Sequence, residues 1–92
     1  MDQKASYFKE IRKPTDNMLT FYEKMFKRNQ SKFIRRSSLE VSHLGSEFDY
    51  DDKKMKLLGS IDSTLMVAEN INDGKCYIIH GDTVTNCILK NN

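Results

Sequence analysis

Two cysteines and two histidines have the widest chemical reach in this chain. Cys76 and His80 stand four positions apart in the stretch KCYIIH. On a helix that spacing would aim both at one metal ion. KCYIIH has the texture of a strand, however, and there the two lie about 13 Å apart, too far to share an ion. The chain has no C-x2-C pair of the kind structural zinc sites draw on. A nucleophilic thiolate needs a base beside it and a positive setting. Nothing in the spacing fixes His43 or His80 next to Cys76 or Cys87. Both thiols are therefore read as side chains of a small core.

The next candidate is acidic. EFDYDD carries Glu47, Asp49, Asp51 and Asp52. Glu47 and Asp49 alternate with Phe48 and Tyr50, so as a strand they share a face. Paired carboxylates there would suit a divalent ion or acid–base work. The plainer reading is a polar strand face running into an Asp-rich turn. Such a face could also dock onto a basic helix, its own or a neighbour's. Gly45, Gly59, Gly74 and Gly81 are scattered, and no Gly-rich run leads into Lys-Ser, so a phosphate loop is absent. The reading assigns no catalytic residue, no metal ligand and no cofactor, and it places the chain outside the enzymes.

The strongest chemical signal is positive. KRNQSKFIRR, residues 27 to 36, holds five cations and no acid. Placing residues at 100° intervals puts Lys24, Arg28, Lys32 and Arg35 on one side of a helix, flanked by Lys27 and Arg36. Such a stripe neutralises phosphates and releases counterions, giving salt-sensitive, largely sequence-independent affinity. Phe33 or Tyr22, if exposed, would add base stacking. Surface helices often carry charge for solubility alone. A solubilising face usually mixes signs, and here Glu23 is the only carboxylate between Asp16 and Glu40.

That stripe needs a helix to hold it. Residues 15 to 36 supply one, with Leu19, Tyr22, Phe26 and Phe33 on the apolar side and Met18, Phe21 and Met25 widening one flank. Thr15 or Asp16 would cap it, and Asn29-Gln30-Ser31 is its weak point. Before it, Asp2 to Arg12 reads as a short helix ended by Pro14. After residue 40 the apolar residues alternate. SEFDY, KMKLLGS, STLMVAE, KCYIIH and TNCIL read as five short strands. Asp51-Asp52 and Asp73-Gly74 supply turns, and Gly59 marks a bend or bulge. The fold class is α+β: one or two N-terminal helices, then a small antiparallel sheet or five-stranded barrel. The expected division is a basic helical part, 1–40, and a β part, 41–92, within one domain.

The pattern GSEFDYDDKKMKLLGSIDSTLMVAENINDGKCYIIHGDTV resembles the small five-stranded barrels of the Sm, Tudor and KOW kind, over roughly residues 44 to 89. That resemblance implies binding of RNA, DNA or a peptide, and transfers no residue role. In its size and its Lys- and Asn-rich texture the chain also resembles the early proteins of tailed phages, which often bind host enzymes or nucleic acid.

The whole-chain numbers bound these readings. Net charge is +2 over 92 residues, but residues 1–40 hold ten Lys and Arg against five Asp and Glu, and residues 41–92 hold five against eight. The first part is thus +5 and the second −3. The asymmetry points to an anionic partner for one half, or to attraction between the halves. Hydrophobic content is 38%, low for a packed domain, so the N-terminal third is expected to stay exposed or to be covered by a partner. No run of 18 apolar residues exists and the N-terminus lacks a signal-peptide pattern. The expected setting is a reducing cytosol with free thiols.

Two function classes follow. In one, the protein binds DNA or RNA through Lys24, Lys27, Arg28, Lys32, Arg35 and Arg36. In the other, it is a regulator or inhibitor of a protein partner, for example a host enzyme, acting through the amphipathic helix or the acidic strand face. A homodimer would cover the wide Met-Phe stripe.

Overall fold

The locally encoded turns set the sheet. A computed structural model of the chain describes residues 7–37 and 43–90, and within them leaves the side chains of residues 30–37 and 90 undescribed. The elements run β1 (Phe8–Ile11), α1 (Asp16–Ser37), β2 (Glu47–Tyr50), β3 (Lys53–Ser60), β4 (Leu65–Asn70), β5 (Cys76–His80) and α2 (Gly81–Lys90). Asp51 and Asp52 join β2 to β3 with φ of 51° and 65°. A two-residue hairpin of this kind requires positive φ at both positions, which Asp tolerates better than most residues. Between β4 and β5, Gly74 takes φ 76°, and its amide donates to the Asn70 carbonyl at 2.7 Å. The Lys75 amide donates to Asp73 Oδ1 at 2.9 Å.

The five strands form one antiparallel sheet in the order β1-β5-β4-β3-β2. Its ladder ends at β1 and β2 among the described residues, so of the two forms the strand pattern left, a small sheet or a barrel, the chain takes the open sheet. It curls enough to bring the rings of both edges together. Phe8 of β1 stacks on Tyr77 at 4.4 Å and meets Tyr50 of β2 at 5.2 Å.

Register assigns the faces. Phe8, Ile79 and Met66 lie opposite one another, as do Tyr77, Ala68 and Leu57, and Phe48 lies opposite Met55. Strand alternation puts all of these on one side. Val84 and Ile88 of α2 cover that side and join its buried cluster. Val67, Cys76 and Gly59 belong to the other side.

Gly59 does two jobs. The β3–β4 register shifts between Leu57 and Gly59, the bulge that a glycine inside a strand announces. It also admits α1: a Cβ on Gly59 would lie 2.5 Å from the Tyr22 carbonyl carbon. The α1 backbone therefore rests directly on β3. One turn further on, Phe26 belongs to the cluster that α2 covers.

The expected elements change at both ends. Residues 8 to 11 form a strand where a short helix was expected; the earlier part of that expected helix, residues 2 to 6, lies outside the described residues. FKEI has apolar residues only at its two ends and no alternation of its own, so pairing with β5 decides its state. TNCIL is not a strand but part of α2. Val84, Cys87 and Ile88 sit at helical spacing, and the three-residue and four-residue steps bring them to one face. Hence the boundary at residue 40 does not divide a helical part from a β part. A strand precedes the long helix and a helix follows the sheet. No described helix is long and apolar enough to cross a membrane.

Candidate nucleic-acid interface

The basic stripe depends on α1 being continuous and on which side of it is covered. Thr15 starts the helix. Its hydroxyl accepts from the Met18 amide at 3.3 Å, and its carbonyl accepts from the Leu19 amide at 2.9 Å. This is the N-cap arrangement. Asp16 adds an acid in the first turn, where the helix dipole favours one. The backbone stays helical through Asn29-Gln30-Ser31. Asn29 is buried, and its Nδ2 donates to the Met25 carbonyl at 2.8 Å. An asparagine that satisfies itself on the preceding turn does not break the helix.

Tyr22, Phe26 and Asn29 form the covered side, with Leu19 and Met25 half-buried beside it. Lys24, Lys27 and Arg28 all point to solvent. Lys32, Arg35 and Arg36 continue along the same helix, but their side chains, like that of Phe33, lie outside the described residues. Tyr22 is 7% exposed, and burial pushes its hydroxyl pKa up, with Cys76 adding to the shift. It cannot stack on a ligand. Phe21 is the ring that can, at 50% exposed, with Met18 beside it at 42%. The sequence pattern put both on the apolar flank. The cover that α1 receives from β3 and α2 is narrower than that flank.

Phe21, Lys24 and Arg28 are spaced three and seven residues apart, and this places them in one row on the helix surface. Among the described residues Lys24, Lys27 and Arg28 form no ion pair. The sheet's cations contrast with them. Lys54 Nζ is 2.9 Å from Asp49 Oδ1 and Lys53 Nζ is 3.5 Å from Asp51 Oδ2. The hydrogen bond that Lys54 donates to Asp49 raises the Lys54 pKa, and the Asp49 and Glu47 charges reinforce it. Lys56 lies in register with Glu47 on one side and Glu69 on the other. The acidic strand face is thus matched by lysines across its own ladder, and charge does not require it to seek a helix elsewhere.

The cysteines and histidines come together less than their types invite. Burial pushes the Cys76 thiol pKa up and Glu69 adds to this, against a smaller opposing effect of Lys13. A reactive thiolate needs the reverse. His80 Nδ1 accepts from the Asp82 amide at 3.3 Å at the start of α2. Among the described residues no three His, Cys, Asp or Glu side chains gather as a metal set would. Comparison with protein-family models, with curated proteins and with solved structures finds no match in any of the three.

Proposed function

We propose that this is a small nucleic-acid-binding protein whose contact surface is the exposed side of α1. The observation that carries the reading is the contrast in charge pairing: Lys24, Lys27 and Arg28 are exposed and unpaired among the described residues, while Lys53, Lys54 and Lys56 face carboxylates. Cations on a helix that meet no carboxylate among the described residues are available to phosphates with no such bond to break first. They fix the protein on the backbone and read no sequence. The rest of the fold holds the rod: the Thr15 cap orders its start, Gly59 seats it and Phe26 anchors it in the core.

Exposed Met18 and Phe21 support a second reading, in which α1 docks on an acidic protein with an apolar pocket. Binding assays separate the two. Fluorescence anisotropy with short labelled DNA and RNA at low salt should show binding, and changing Lys24, Lys27 and Arg28 together to Glu should abolish it. Undetectable binding of the unaltered protein to every oligonucleotide at low salt would refute the nucleic-acid reading.

A further inference from the structure

The geometry points to nucleic acid with unpaired bases, single-stranded DNA or RNA, as the occupant of α1, with Phe21 as the ring on which a base stacks. This rests on the reading of α1 as a nucleic-acid surface and narrows it. Lysine and arginine contacts to phosphate serve a duplex and a single strand alike. The discriminating group is the ring. In a duplex the base faces are already stacked on their neighbours, so an exposed phenylalanine meets edges and sugars unless it unstacks a step at a cost in free energy. In a single strand every base offers a free face, and aromatic side chains beside a positive track are how such strands are held without regard to sequence.

Phe21 fits that part. Half of its surface is open. Its one ring contact among the described residues is with Tyr22, steeply inclined at 62° with centroids 6.1 Å apart. Tyr22 is buried, so the neighbour that braces Phe21 is itself fixed by the fold. Lys24 and Arg28 follow in the same row, roughly 4.5 and 10.5 Å further along the axis. A strand laid along α1 would place a base on Phe21 and its next phosphates near Lys24 and Arg28. Exposed Met18 and half-buried Met25 flank the ring and give it an adaptable apolar margin. All of these residues precede the stretch that resembles small barrels, so the surface is not the one that resemblance implies.

The test compares one sequence as a labelled single strand and as its duplex, by anisotropy at low salt. The unaltered protein should bind the single strand at least about tenfold more tightly. Phe21→Ala should weaken single-strand binding about tenfold, within the range base stacking supports, and leave the duplex unchanged. Phe21→Tyr should restore the preference. Circular dichroism and melting of each variant confirm that the fold is intact, as substitution of a half-exposed residue predicts. Equal affinity for both forms, or a Phe21→Ala loss that is equal in both, overturns the inference and leaves the nucleic-acid reading standing. Failure of both forms to bind refutes that reading, and the inference with it. Unchanged affinity for both forms in Phe21→Ala assigns the ring to another role, such as an apolar anchor for a protein, and also overturns the inference.

Discussion

Asp62 is the busiest acceptor among the described side chains of the sheet's turns. Its Oδ1 accepts from the Thr64 amide at 2.8 Å, the Thr64 hydroxyl at 2.9 Å and the Leu65 amide at 2.9 Å. The Thr64 amide does most to hold its carboxyl pKa below the usual value, desolvation opposes it, and the Leu65 amide and Thr64 hydroxyl add to the lowering. The folded state therefore favours the charged form. That contribution is complete above the ordinary carboxylate pKa of 3.8 and is lost as pH falls through the lowered folded value. Urea denaturation across acid pH should show Asp62→Asn with a flatter loss of stability than the unaltered protein. An identical pH profile would contradict the assigned role. Asp52 makes the opposite prediction. At φ 65° it occupies a position where glycine costs less, so Asp52→Gly should stabilise the hairpin by roughly 0.5–1 kcal/mol, read as a raised urea midpoint. The Asp51-Asp52 turn was legible in the sequence because a turn's backbone demand is local, whereas the role of Asp62 was not read from it. Phe21 was less legible. Periodicity measures which side a residue is on, not how wide a cover the neighbouring elements provide.

Among the elements, α1 and its seat are the strongest structural claim. Gly59→Ala places a methyl against the Tyr22 backbone, which no rotamer change relieves. It should cost about 1–3 kcal/mol or more by denaturant titration. A neutral result would show that α1 does not rest on β3 as described. The helix itself was legible because its period persists for 22 residues and Thr15 caps it. β1 was not, since four residues carry too little pattern and their strand state comes from β5, distant in sequence. α2 was misread for a related reason. Ten residues hold few apolar positions, and TNCIL taken alone satisfies a strand as well as a helix. The five expected strands and the five observed ones thus agree in number only because one was gained and one lost. Strand lengths and turns left a small sheet and a closed barrel both open, because they do not determine whether the two edges pair.

At the scale of the molecule, the charge asymmetry resolves into two kinds of surface. On the sheet, lysines stand opposite carboxylates across the ladder, and Lys54 pairs with Asp49. On α1 the cations Lys24, Lys27 and Arg28 face solvent unpaired among the described residues. The stripe was legible as a charge pattern; that Lys24, Lys27 and Arg28 stand apart from the described carboxylates was not, because that depends on how the chain folds back. The most direct test measures how oligonucleotide affinity depends on salt. Lys24, Lys27 and Arg28 are replaced together by Gln, a good helix former that removes the charge and keeps the helix. Each lost phosphate contact on a single strand reduces the slope of log K against log salt by about 0.7. The triple variant should therefore bind more weakly and show a slope shallower by about 2. A variant that binds as tightly as the unaltered protein, with the same slope, would contradict the assignment of α1 as the nucleic-acid surface.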